Sequence, residues 1–70
     1  MTRRFLVSEP QAAALAGIEE RDLRRAFHSG DLPRWALPGS RLPHYDLRDV
    51  VHVYHVSPTT LRELLGVEVA

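Results

Sequence analysis

Three arginines fall within five positions, at Arg21, Arg24 and Arg25, and His28 follows three residues later. A guanidinium is a planar fork of donors that grips a phosphate, or the O6 and N7 acceptors of guanine, through two bonds at once. Arg21 and Arg25 stand four apart, so on a helix their side chains emerge along one edge. That spacing suits Arg21 and Arg25 to base edges in a major groove, and Arg24 and His28 to flanking phosphates. Glu20 falls on the same solvent side. The bland alternative is a solvated face whose arginines pair with Glu20 and Asp22; were Arg21 and Arg25 turned inward or locked against acids, no groove-reading surface would remain. A second basic position, Arg41, follows the turn residues Pro38, Gly39 and Ser40. Small residues let the backbone approach a phosphate, and one arginine can enter a narrow minor groove, where negative potential concentrates. Arg34 lies at the base of the same segment, and Arg3 and Arg4 offer a further backbone contact near the amino end.

These side chains need short helices and a hairpin to position them. Ser8 with Gln11 three residues later forms a capping box, Pro10 fits the first turn, and Gln11 to Ala16 has high helix propensity before Gly17 stops it. A second helix is expected over 19–29, with Leu23, Ala26 and Phe27 as its apolar stripe, acids in its first turn and Gly30 closing it. Two short helices joined by about three residues around a glycine describe a helix-turn-helix. Residues 32–37 and 41–45 read as two strands around the 38–40 turn. Pro33, Pro38 and Pro43 confine them to edge pairing. A lone hairpin is unstable, so Trp35 and Tyr45 are its expected anchors on the helices. Asp46 caps a third helix over 47–55, its inner face Val50, Val51 and Tyr54; Ser57 starts a fourth over 59–65, carrying Leu61, Leu64 and Leu65.

The chain has 70 residues, 44% of them hydrophobic and 26% charged, which describes one small globular domain too short to enclose a deep catalytic cleft. Nine arginines balance nine carboxylates, with no lysine, so bulk charge is silent about partners and only its distribution speaks. Without cysteine there is no disulfide framework or zinc finger. His52 and His55 have a chelating spacing, but no third ligand completes a metal site. No nucleophile elbow, phosphate loop or paired carboxylates appear, so neither an enzyme, a cofactor nor a small-molecule substrate is expected. No apolar run approaches the length of a membrane span or a signal peptide, and a cytoplasmic location is expected.

The order of residues from Val7 to Ile18, then Leu23-Arg24-Arg25-Ala26-Phe27-His28-Ser29-Gly30-Asp31-Leu32-Pro33, and then Asp46 opening a further helix, resembles the small winged helix-turn-helix domains of phage excisionases and MerR-like regulators. Glu19 stands where that family usually carries a serine or threonine cap. The resemblance implies a mainly α fold of three to four short helices with a two-stranded wing. Its parts would be a loose basic tail over 1–5, the winged domain over 6–56, and a C-terminal helix and tail over 57–70 that packs on the domain or on a neighbour. It implies sequence-preferring binding of double-stranded DNA through Glu20, Arg21, Arg24, Arg25 and His28 on the recognition helix and Arg34, Gly39, Ser40 and Arg41 on the wing. It further implies self-association along DNA, for which Leu61, Leu64 and Leu65 are candidates. The implied role is to bend attachment-site DNA beside a phage integrase and promote prophage excision. A repressor-like or MerR-like transcription regulator is the alternative, and an interaction module that does not bind DNA is the second.

Overall fold

The computed structural model of the chain describes residues 5–66; Arg3 and Arg4 lie outside them. The described residues are mainly helical: they form four helices and a two-stranded antiparallel sheet. The order is β1 (Leu6–Ser8), α1 (Glu9–Ala16), α2 (Glu20–His28), β2 (His44–Asp46), α3 (Leu47–Tyr54) and α4 (Pro58–Leu65). Among the described residues no helix is long and apolar enough to cross a membrane.

Capping chemistry sets the helix starts. Ser8 Oγ accepts the Gln11 N–H at 3.3 Å while Gln11 Oε1 accepts the Ser8 N–H at 3.2 Å, so two orphan donors are satisfied reciprocally. Asp46 Oδ1 accepts from Arg48 N–H at 3.0 Å and Ser57 Oγ from Thr60 N–H at 3.1 Å. Glu19 makes no side-chain cap for α2. Gly17, at φ 70°, turns the chain out of α1 in the left-handed conformation. Only residues 17–19 separate α1 from α2, and the two pack together.

The sheet differs from expectation. Its strands are β1 and β2, with Leu6 opposite Asp46, Val7 opposite Tyr45 and Ser8 opposite His44. The expected hairpin over 32–45 shrinks to one bridge, Trp35 with His44, closed by bonds of 2.8 and 3.2 Å. Pro33 lacks the N–H that would extend the ladder opposite Asp46, and on the other side of the bridge the Leu42 N–H is taken by Ser40 Oγ, so the pairing stops there. Phe5, expected in a loose tail, is tied to the start of α3: its carbonyl accepts the Leu47 N–H at 2.8 Å.

The core gathers Val7, Ala12, Ala13, Leu15, Leu23, Leu32, Tyr45, Leu47, Val50, Val56 and Leu61. Leu23, Tyr45 and Val50 are wholly enclosed. Burial of Leu47 and Val50 outweighs the modest helix propensity of the valines in α3, because tertiary packing dominates local preference. Tyr45 is the anchor it was expected to be, while Trp35 is only half-buried. Leu61 belongs to the chain's own core and Leu65 packs against it; Leu64 is left at the surface, 53% exposed. Of the three leucines that could cover the core or meet a neighbour, Leu61 and Leu65 thus serve the core, and α4 rests on α1.

Candidate nucleic-acid interface

α2 has two unlike faces. Leu23 is sealed in the core, and Ala26 and Phe27 flank it half-buried. At about 100° per residue, Arg21, Arg24, Arg25 and His28 share an arc of roughly 100° on the other side, and all four are exposed. Glu20 is exposed too, yet it falls roughly 40° beyond Arg24, towards Phe27 and off this arc. The cationic strip is thus unbroken by carboxylates of its own helix.

Acidic neighbours border the strip. Arg21 Nε lies 2.6 Å from Glu19 Oε2, with side chains 69% and 65% exposed, and Arg25 Nη1 lies 3.9 Å from Asp22 Oδ1, with side chains 79% and 43% exposed. Arg21 therefore pairs with Glu19, not Glu20. Neither arginine turns inward. Exposed pairs of this kind are worth about 0–1 kcal/mol, whereas a bidentate contact to guanine discriminates by about 1–3 kcal/mol. Pairs this weak do not lock either arginine in place.

Arg24 and Arg34 converge on a residue that periodicity did not single out. Glu9, at the first turn of α1, is buried; its Oε1 lies 3.5 Å from Arg24 Nε and its Oε2 3.6 Å from Arg34 Nη2. The Tyr45 hydroxyl donates to Glu9 Oε2 at 2.8 Å and accepts from Arg34 Nε at 3.1 Å. Arg34 also stacks over the Phe27 ring, 4.3 Å from its centroid. Glu9 thus joins α1, α2, β2 and the start of the 32–43 loop. Its partner Tyr45 is 36 residues away in sequence. The acid in a helix's first turn was a visible signal, but it is already explained by the helix dipole.

The loop itself is built around a tight turn. The Ser40 N–H donates to the Leu37 carbonyl at 3.0 Å, with Pro38 and Gly39 between them. Gly39 has φ 83°, the value a type II turn demands at its third position, so glycine is required there by the backbone. Ser40 Oγ accepts the Leu42 N–H at 3.2 Å, which gives Ser40 a structural role. Arg41 is exposed and makes no ion pair among the described residues. His52 and His55 are exposed, and no cluster of three or more potential metal ligands occurs among the described residues.

Burial, chiefly, pushes the Tyr45 hydroxyl above its ordinary value; the Arg34 bond opposes this and the Glu9 bond reinforces it. Since the folded value is the raised one, this stability is complete below the unfolded value of about 10 and is lost as pH climbs through the folded value. Tyr45→Phe is therefore expected to lower the urea midpoint at neutral pH and to flatten its alkaline decline. Tyr54, also raised chiefly by burial, keeps the decline from vanishing. Equal alkaline slopes for parent and variant would show that Tyr45 ionises without opposing the fold.

Comparison of the chain with family models, with curated proteins and with solved structures finds no match.

Proposed function

We propose that the protein is a sequence-preferring DNA-binding domain, a winged helix-turn-helix in which α2 enters a major groove and the 32–43 loop serves as a short wing. One observation carries this reading: the exposed strip of Arg21, Arg24, Arg25 and His28, backed by the buried Leu23 on the opposite face of the same helix. Arg21 and Arg25 read base edges, while Arg24 and His28 hold phosphates. Glu20 sits at the rim, where a carboxylate disfavours phosphate. The wing adds Arg41, with Arg34 at its root held to the body by Glu9, Tyr45 and Phe27.

The finer reading rests on the resemblance to excisionases: monomers bind repeated sites side by side, bend attachment-site DNA and act with a phage integrase in the cytoplasm of a bacterial host. Footprints at an attachment site support it, whereas footprints at a promoter support the regulator. The exposed Leu64 is the part of α4 open to a neighbouring copy.

Selection of bound sequences from a random DNA pool tests the core of the proposal, because it reports binding, preference and repeat spacing together. Arg25→Ala is expected to weaken binding to the selected site by about 1–3 kcal/mol and to relax preference at one base pair. A sequence logo unchanged by that substitution would remove Arg25 from the reading surface, and failure to enrich any sequence at low salt would remove DNA as the ligand.

A further inference from the structure

Leu42 is the most exposed large apolar side chain among the described residues, at 68%. Its backbone is hydrogen-bonded on both of its polar groups. Its N–H donates to Ser40 Oγ at 3.2 Å, and its carbonyl lies 2.9 Å from His44 Nδ1. A carbonyl only accepts, so His44 carries its proton on Nδ1 to make that bond. Pro43 then fixes the next backbone angle, and the Trp35–His44 bridge closes the loop behind it. The apolar side chain is held out into solvent by a backbone tied on both sides.

Its surroundings are cationic. Residues 32–45 contain no carboxylate and three basic side chains, Arg34, Arg41 and His44. Arg41, adjacent to Leu42, makes no ion pair among the described residues. A second leucine, Leu37, is 40% exposed on the opposite arm of the same turn. A protein partner would have to present carboxylates around an apolar pocket; duplex DNA offers phosphates on both sides of a stack of apolar base faces. The second surface matches a leucine beside Arg41, which has no ion pair among the described residues, in a segment without carboxylates.

We infer that Leu42 is a wedge: with Arg41 drawn into the minor groove, the leucine side chain inserts at a base step, partly unstacks it and kinks the duplex. Apolar wedges of this sort bend DNA by about 20–90° towards the major groove, and flexible pyrimidine–purine steps yield most easily. The hydrogen bonds on both sides of Leu42 restrain its backbone before contact, which lowers the conformational cost of insertion. The inference rests on the DNA-binding reading and assigns the bending to one residue.

The test uses the full chain with duplexes recovered from the random pool, labelled at their ends with a fluorescence donor and acceptor, and with 2-aminopurine replacing each adenine in turn. Anisotropy reports binding, energy transfer reports bending, and 2-aminopurine emission reports unstacking at a single step. The parent is expected to raise energy transfer and to brighten one position. Leu42→Ala is expected to lose both signals while still binding, and Leu42→Met to keep them. Arg41→Ala is expected to weaken binding and reduce the salt slope by about 1. Binding by the parent without local brightening, or signals retained by Leu42→Ala, would overturn the wedge and leave the DNA reading intact. No binding to any duplex would overturn both; if sedimentation then showed self-association weakened by Leu42→Ala, the leucine would be a contact between copies.

Discussion

Leu23→Ala is expected to destabilise the fold by about 2–5 kcal/mol, the range for removing a fully buried leucine where the surroundings relax only in part. Leu23 is 0% exposed and lies within the core that also holds Leu15, Leu32 and Val50. A domain of 70 residues commands roughly 4–10 kcal/mol in total at typical values per residue, so the loss is about half of it. The check is a urea titration followed by circular dichroism, with Leu64→Ala as control because Leu64 is 53% exposed. The midpoint should collapse for Leu23→Ala and barely move for Leu64→Ala. Similar midpoints for the two variants would mean that α2 is not seated on the core through Leu23, and the cationic strip would lose its fixed orientation.

The residues that made this helix legible act locally. Leu23, Ala26 and Phe27 recur at helical spacing, so their burial and the opposite exposure of Arg21 and Arg25 follow from 3.6 residues per turn. The caps at Ser8, Asp46 and Ser57 were legible for the same reason, each being a bond within three residues. β1 was not. A strand of three residues is too short for alternation to register, and its partner lies far along the sequence, beyond two helices. The hairpin was read from its turn, and the turn is there, but Pro33 removes a donor that the ladder needs and the Leu42 N–H is spent on Ser40. At the candidate site, the side a residue faces was legible and so was Asp22 as an ion-pair partner, but Glu19 in place of Glu20 was not. Arg21 reaches back to Glu19 outside the helix, and Arg25 to Asp22 one turn away, choices set by side-chain rotamers.

Glu9 shows the same limit with a larger consequence. Its carboxylate is the acceptor for Tyr45 and the counter-charge for Arg34 and Arg24, from three separate parts of the chain. Glu9→Ala strands the buried Tyr45 hydroxyl as a donor, which costs about 1–3 kcal/mol, and leaves Arg34 without its only carboxylate among the described residues. The figure of about 3–5 kcal/mol for breaking a buried ion pair is a ceiling here, because the Arg24 side chain is 51% exposed and water screens its share. Glu9→Gln separates the two contributions: its amide oxygen still accepts from Tyr45, while the negative charge is gone. Both variants should therefore lower the urea midpoint, Glu9→Ala by more. DNA affinity per folded molecule should move the other way. Losing the carboxylate frees Arg24 for phosphate and adds a net positive charge beside the strip, so Glu9→Gln is expected to bind DNA more tightly at low salt and to lose that advantage as salt rises. A charge held in the body for stability and withheld from the ligand predicts opposite signs in the two assays. If Glu9→Gln weakened both folding and DNA binding at every salt concentration, Glu9 would instead be holding Arg24 and Arg34 in their binding positions, and the phosphate contact assigned to Arg24 would depend on that carboxylate rather than compete with it.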